Sequence, residues 1–193
     1  MLNDRSSTLS LLETRRSGRP RDLVAPGPSA EELQRILAAA MRTPDHGKLH
    51  PWRFVHVSRD KRADFAALLQ RAYRIDNPAP GRLEIEAHER FAHQAPELIV
   101  ALSSPTLDHK IPLWEQELSC GAACMNLCLA AHALGYAAGW VTGWAAYSEA
   151  VLAAFGKPPE RIAGFIFLGT PGAALEERLR PEPDAVVSAW EGL

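Results

Sequence analysis

Two nearly continuous apolar runs limit the possible folds of this chain more than any other feature of its sequence. They are ELIVALS at residues 97–103 and IAGFIFLG at residues 162–169. Runs of this length without regular polar alternation are typical of buried strands. Such strands need a covering layer, so we expect them to lie in one sheet packed against helices.

Shorter patterns predict the remaining elements. WRFVHVS at residues 52–58 and AAGWVTG at residues 137–143 predict two further strands. Ser29, with Glu32 three residues later, forms a capping box that begins an amphipathic helix. Other predicted helices cover residues 6–15, 60–74, a segment ending near 93, 115–134 and 148–155. The order predicts an α+β fold with about four strands in one sheet.

Length and charge set limits on organisation and partners. The 193 residues suit a single domain spanning 1–193, with residues 172–193 as a C-terminal tail. A net charge of −2 gives no general attraction to nucleic acid or to an acidic membrane. The N-terminus lacks a basic flank followed by an apolar run, so we expect a cytoplasmic protein. We expect neither a nucleic acid nor a membrane as partner.

The three cysteines and the histidines do not predict a metal site. Cys120, Cys124 and Cys128 recur every four residues, so they share one helix face and are typical of reduced packing residues. His88 and His93 lie five apart, whereas the zinc motif needs a spacing of four. The sequence also lacks G-x-G-x-x-G after a strand, a P-loop and G-x-S-x-G. These absences argue against a Rossmann domain, a P-loop nucleotidase and a serine hydrolase.

A basic patch near the N-terminus leaves two interpretations open. Arg15, Arg16, Arg19 and Arg21 fall within seven residues. They form either a solvated helix end or an anion site, in which guanidinium groups and the Ser17 hydroxyl bind phosphate oxygens. An interaction protein that uses this patch without any cofactor is a further alternative.

Five motifs, in order along residues 15–171, resemble those of the nitroreductase family of flavoenzymes, and most resemble its small, minimal bacterial branch. They are RRSGR, RTPDHGKLHPWRF, HKIPLWEQELSCGAACMNLCLAA, GYAAGWVTG and GFIFLGTP. The resemblance implies the α+β nitroreductase fold, with a mostly antiparallel central sheet of about four to five strands flanked by helices. It also implies a homodimer with a long central helix at its interface and an FMN in each of two interface sites.

The resemblance further implies where the cofactors bind. Arg15–Ser17 would hold the FMN phosphate and ribityl chain, Arg42 and His46 would reach the flavin from the partner subunit, and Trp140–Thr142 would line it. Ala130–Gly135 resembles a stretch associated with the nicotinamide cofactor. Eight positions thus match cofactor-binding residues: Arg15, Arg16, Ser17, Arg42, His46, Trp140, Val141 and Thr142.

The implied activity is that of an oxidoreductase. A hydride from NADH or NADPH would reduce FMN, and an electron-poor acceptor such as a nitroaromatic or a quinone would then enter the same pocket in a ping-pong scheme. No catalytic side chain and no metal are expected, because the flavin carries the chemistry. The alternative is a flavin-binding or flavin-delivery protein without turnover.

Some residues depart from the family pattern or have a second interpretation. Lys48 and His50 stand where many members have Asn and Gln. Arg178 and Arg180 are the only candidates for a basic residue that touches the phosphate after the last strand. Glu115 has two interpretations. Its negative charge either stabilises the positive, N-terminal end of its helix, or its side chain faces the substrate pocket. Packing roles are expected for four others, with His132 a core histidine whose hydrogen bonds are satisfied: Trp52, Phe54, Trp144 and His132.

Overall fold

The computed structural model of the protein describes residues 1–192, which form seven α-helices and five β-strands. The strands are β1 (Leu23–Val24), β2 (Trp52–His56), β3 (Glu97–Ser103), β4 (Ala137–Val141) and β5 (Arg161–Pro171). The helices are α1 (Thr8–Thr14), α2 (Ala30–Ala40), α3 (Arg62–Asp76), α4 (Arg82–Ala92), α5 (Leu113–Ala133), α6 (Trp144–Tyr147) and α7 (Glu149–Phe155). The predicted α+β class is confirmed.

The sheet is built around β5. Its middle pairs with β3 on one side and with β4 on the other, while its end, Thr170 and Pro171, pairs with β1. The outer strand β2 pairs with β3. Every pairing is antiparallel. The two apolar runs of the sequence are therefore neighbours at the centre of the sheet, as strands covered on both faces should be.

Alternate residues of the central strands face two different cores. One core packs Val100 and Phe165 against Phe65 and Leu69 of α3. The opposite core packs Ile99 and Ala101 against α2 and α5. Because both faces are covered, neither strand needs polar residues at alternate positions.

The long helix α5 packs its cysteine face on the sheet. Cys120, Cys124 and Cys128 are buried free thiols, as predicted from their spacing. Burial raises the pKa of Cys128 to about 12, so this thiol stays protonated at neutral pH. Gly135 follows the helix with a φ of 99°, the left-handed conformation that commonly ends a helix.

The structure differs from the sequence predictions mainly in short elements. Strand β1 has two residues and helix α6 has four, too few for a periodic pattern. The amphipathic period of α2 predicts a buried Met41, but this residue is the C-cap of the helix and is 58% exposed. The capping box of Ser29 and Glu32 is present as predicted. None of the helices in residues 1–192 has the length and apolar character of a membrane span.

Candidate functional site

The segment Arg15–Ser17 leaves the end of α1 and is held against β4. The N–H of Gly18 donates to the carbonyl of Ala138 at 3.1 Å. A Cβ atom on Gly139 would lie only 2.6 Å from the Gly18 carbonyl oxygen. The glycines of the RRSGR and GYAAGW motifs are therefore needed for this close approach, which fixes the basic segment relative to the strand.

Positive charge is concentrated at this segment. Arg15 Nη1 lies 3.3 Å from Ser17 Oγ, and Arg16 Nε donates to the carbonyl of Glu176 in the tail at 2.5 Å. Arg180 Nη2 lies 3.5 Å from the Arg15 carbonyl. Of the two tail arginines singled out by the sequence, Arg180 thus contacts the segment. Arg16 and Ser17 also line a narrow cleft of about 60 Å³ under the tail.

His132 differs from its prediction. It is 1% exposed, and Nδ1 lies 3.1 Å from the Tyr136 carbonyl, but Nε2 has no hydrogen-bond partner among residues 1–192. Because a carbonyl only accepts, Nδ1 carries the proton and Nε2 has the free lone pair. Burial lowers the pKa of His132 to about 4, and the positive charge of Arg15 contributes in the same direction.

A cavity of about 300 Å³, here called the slot, opens beside β4. The Trp140 side chain lies against β5, where its Nε1 donates to the carbonyl of Ala163 at 3.1 Å. Ala163 is the extra residue of a β-bulge in β5, which leaves its carbonyl outside the strand ladder. Gly164 makes room for the indole, since a Cβ there would lie 2.2 Å from Trp140 Nε1.

The walls of the slot combine apolar surface with a few polar atoms. Ser103 Oγ is buried beside the Cys120 thiol and has no hydrogen-bond partner of ordinary geometry within residues 1–192. Gly121 on α5 leaves open space, because a Cβ atom there would meet nothing within 4 Å. The slot is lined by small, apolar and polar residues and by one acidic and one basic residue: Ser103, Cys120, Gly121, Trp140, Thr142, Tyr147, Ile162, Ala163, Glu117 and Arg161.

The basic segment and the slot adjoin β4 at different ends. From Ala138, beside the basic segment, to Thr142 at the slot, a strand rises about 13 Å. From Cys128 to Cys120 along α5 the rise is about 12 Å. A ligand of about this length with an anionic end could therefore reach from the basic segment to the slot.

Arg42 and His46 lie on a loop at residues 42–50, here called the 42–50 loop, on another side of α5. His46 Nδ1 is 2.8 Å from Glu115 Oε2. Arg42 lines a separate groove of about 420 Å³ together with Ala130 and Ala133 of the Ala130–Gly135 stretch. The structure thus brings Arg15–Ser17 next to β4, where Trp140 and Thr142 line the slot, while Val141 packs against the core on the α3 side. Arg42 and His46 lie apart from these residues.

Helix geometry explains this separation. With 100° per residue, Cys120 and Gly121 lie about 140° and 240° around α5 from Glu115. The slot and the 42–50 loop therefore contact nearly opposite faces of the same helix.

The aromatic residues expected to be structural are packed. Trp52 is 8% exposed, and Phe54 packs against the same core as α2 and α5. Trp144 Nε1 donates to Asp76 Oδ2 at 2.9 Å, and its ring contacts Tyr73 and His88 at centroid distances of 4.8 and 4.9 Å. Within residues 1–192, no group of three or more His, Cys, Asp or Glu side chains is arranged to hold a metal ion.

Sequence reasoning did not identify Ser103, nor the contact between Glu115 and His46. Ser103 is the last residue of a buried strand, and nothing in the local sequence distinguishes it from other serines. Glu115 and His46 are 69 residues apart, so no local pattern connects them.

Comparison with known proteins places this arrangement in a family. The "Putative NAD(P)H nitroreductase YdjA" of Escherichia coli (strain K12) is 36% identical over 185 residues, which cover 93% of this chain and 97% of that protein. The crystal structure of a nitroreductase-like family protein from Bacillus cereus has a TM-score of 0.80 at 20% identity, covering 100% of both chains.

A putative nitroreductase from Desulfovibrio desulfuricans, crystallised in complex with FMN, has a TM-score of 0.72 at 22% identity, covering 96% of this chain and 98% of that chain. At these identities the structural similarities show the nitroreductase fold. The model of the nitroreductase family itself matches residues 12–170. The chain therefore belongs to the nitroreductase family.

Proposed function

We propose that the protein is an FMN-dependent oxidoreductase that takes a hydride from NADH or NADPH and reduces an electron-poor acceptor such as a nitroaromatic or a quinone. The observation that carries the proposal is that Arg15–Ser17 and the slot both adjoin β4, in a chain of this family. The printed names of relatives support it, since one is named "Putative NAD(P)H nitroreductase YdjA" and another was crystallised with FMN.

The residues present fit the cofactor. Arg15 and Arg16 supply paired N–H donors and positive charge for a phosphate, and Ser17 adds a hydroxyl. The slot offers the apolar indole of Trp140 and the open space at Gly121 to a flat ring. The buried, unpartnered hydroxyl of Ser103 suits the polar edge of a ligand in that slot.

Bound FMN would supply the redox chemistry, accepting a hydride and passing two electrons to the acceptor. The chain's own task is to bind, orient and shield the cofactor. This division explains why the site needs no catalytic triad and no pair of carboxylates. Because the reductant leaves before the acceptor enters the same pocket, the expected kinetics are ping-pong.

We further propose that the active form is a homodimer with FMN at the interface. Arg42 and His46 cannot reach the slot of their own chain across α5, but the slot of a second copy is accessible to them. Exposed apolar side chains on the helices around α5 support an interface there. They include Leu9, Leu12, Met41, Leu113, Trp114 and Leu118.

An absorption spectrum of the purified protein tests the cofactor assignment, before and after FMN is added and the excess removed. We expect the visible bands of oxidised flavin to stay with the protein. Stopped-flow mixing with NADH or NADPH should then bleach those bands, and addition of an acceptor should restore them. Retained flavin that neither nucleotide bleaches would instead indicate a flavin-binding protein without turnover, and a colourless protein would refute FMN binding.

A further inference from the structure

Three polar residues on α5, here called the polar row, contact the start of the 42–50 loop: Glu115, Ser119 and Asn126. Two of these contacts are hydrogen bonds donated by α5 side chains, at 2.8 and 2.6 Å, and the third is a carboxylate–imidazole contact at 2.8 Å. The pairs are Ser119 Oγ with the Pro44 carbonyl, Asn126 Nδ2 with Thr43 Oγ1, and Glu115 Oε2 with His46 Nδ1.

The spacing of the polar row places its three residues on one face of α5. Positions i, i+4 and i+11 lie within about 40° of one another on a helix. The order of contacts is regular, since the helix positions 115, 119 and 126 meet loop positions 46, 44 and 43 in turn. A rigid helix thus fixes both ends of the segment Thr43–His46, which directly follows Arg42.

The loop needs such support because its backbone is unfavourable. Gly47, Lys48 and His50 have φ values of 82°, 58° and 50°, in the left-handed region that non-glycine residues rarely adopt. A conformation of this kind persists only where the surroundings hold it. Within the loop, the N–H of His50 donates to Asp45 Oδ2 at 2.9 Å, and α5 provides the contacts from outside.

The contact with Glu115 also fixes the orientation of the His46 ring. A carboxylate accepts a hydrogen bond, so Nδ1 carries a proton, and Nε2 is directed away from Glu115. The pair is exposed, with side-chain exposures of 63% and 45%, and an exposed pair contributes little to global stability. Its consequence is therefore local, in the placement of His46.

We propose that Glu115, Ser119 and Asn126 are positioning residues of the cofactor site, which hold Arg42 and His46 in the arrangement that the FMN of the partner subunit requires. This inference rests on the proposed function and deepens it, because it names the residues that prepare one half of the shared site. Of the three, Glu115 acts on the residue expected to touch the cofactor, so it gives the sharpest test.

The first test is hydrogen exchange of the full-length protein without FMN. Glu115→Ala removes the acceptor for His46, so amides of the 42–50 loop should exchange severalfold faster, while the rest of the protein and its Tm stay unchanged. Glu115→Gln keeps a carbonyl acceptor and should restore slow exchange. Glu89→Gln is the matched control, because Glu89 contacts His93 at 3.2 Å on the exposed face of α4, remote in sequence from the loop.

The second test is a fluorescence titration with FMN. We expect Glu115→Ala to weaken binding about tenfold, Glu115→Gln to bind within about twofold of the unaltered protein, and Glu89→Gln to bind normally. Unchanged exchange in Glu115→Ala, or weakened binding that Glu115→Gln shares in full, would overturn the positioning role. If the unaltered protein binds no FMN while Glu115→Ala still loosens the loop, the proposed function fails, and with it the assignment of this row to a cofactor site.

Discussion

The buried imidazole of His132 shows how one residue links burial to pH-dependent stability. Its Nδ1–H donates to the Tyr136 carbonyl, and its Nε2 has no partner within the described chain. Burial lowers its pKa from 6.5 to about 4. Between these values the unfolded chain binds a proton at this histidine and the folded protein does not. The contribution of neutral His132 to the free energy of unfolding is therefore fully present above about pH 6.5 and is lost as the pH falls towards 4.

Replacing His132 with Asn should flatten this part of the stability profile. The Asn amide can still donate to the Tyr136 carbonyl, but it does not titrate. Between pH 6.5 and pH 4 the free energy of unfolding should fall in both proteins. We expect the fall to be larger in the unaltered protein than in His132→Asn, by up to about 3 kcal/mol. Urea unfolding at several pH values measures the difference. Parallel profiles for the two proteins would show that His132 does not titrate as described.

A second prediction at the residue scale concerns the basic patch. Arg15→Ala removes a charged contact expected to bind the FMN phosphate, so FMN affinity should fall at least tenfold. Arg21→Ala removes the same charge from an exposed residue outside the cleft and the slot, and should change affinity less than twofold. Fluorescence titration at one ionic strength compares them. Equal losses in both variants would favour general electrostatic attraction over a specific phosphate contact.

At the scale of elements, Arg62 links the ends of several elements through one buried side chain. It is 3% exposed at the start of α3, and its guanidinium donates to backbone carbonyls at 2.8 to 3.3 Å. The acceptors are the carbonyls of Val57, Ala92, Gln94 and Pro96. One side chain thus ties the end of β2, the end of α4 and the approach to β3 to α3.

Substitution of Arg62 by Leu should destabilise the protein by about 3–5 kcal/mol, because it leaves several buried carbonyls without a donor. Arg59→Leu, at an exposed position three residues earlier, should change stability by less than about 0.5 kcal/mol. Urea unfolding followed by circular dichroism compares the two. A small effect of Arg62→Leu would mean that these carbonyls find water or other donors.

At the scale of the whole molecule, the two faces of α5 carry different parts of the proposed cofactor site. Its slot face belongs with Arg15–Ser17, while its opposite face supports Arg42 and His46. In the proposed homodimer each cofactor site would combine one face of α5 from each chain, so the dimer would contain two such sites.

Mixed dimers test the shared site directly. Arg15→Ala chains and Arg42→Ala chains, carrying different affinity tags, can be co-expressed and purified through both tags. Each homodimer should bind FMN weakly. The mixed dimer should regain one tight FMN, because one of its sites combines an intact Arg15 with the partner's intact Arg42, and the other combines both defects.

Stoichiometry by titration distinguishes the possibilities. One tight site per mixed dimer supports a site built from two chains. If Arg15 and Arg42 act within the same chain, every site of the mixed dimer carries one defect and no tight binding returns. Two tight sites would show that neither arginine is needed.

The sequence by itself determined the central elements, the class of fold and the basic segment. The runs that form β3 and β5 are nearly continuous in apolar residues, so their sequences alone predict strands that are buried on both faces. The capping box of Ser29 and Glu32 lies within four residues, and local patterns of this kind survive in the folded protein. Two of the family motifs, RRSGR and GYAAGWVTG, meet where Gly18 contacts β4, whereas RTPDHGKLHPWRF lies on another side of α5.

Only the tertiary structure decided how distant residues meet. Strand β1 exists because the end of β5 offers it a partner, and the four acceptors of Arg62 lie 5 to 34 residues from it along the chain. The contact of His46 with Glu115, 69 residues away, and the free nitrogen of His132 likewise depend on packing. Local sequence preferences depend only on residues that are close along the chain. Hydrogen bonds between distant residues, and the separation of the two faces of α5, depend instead on how the elements pack around a shared core.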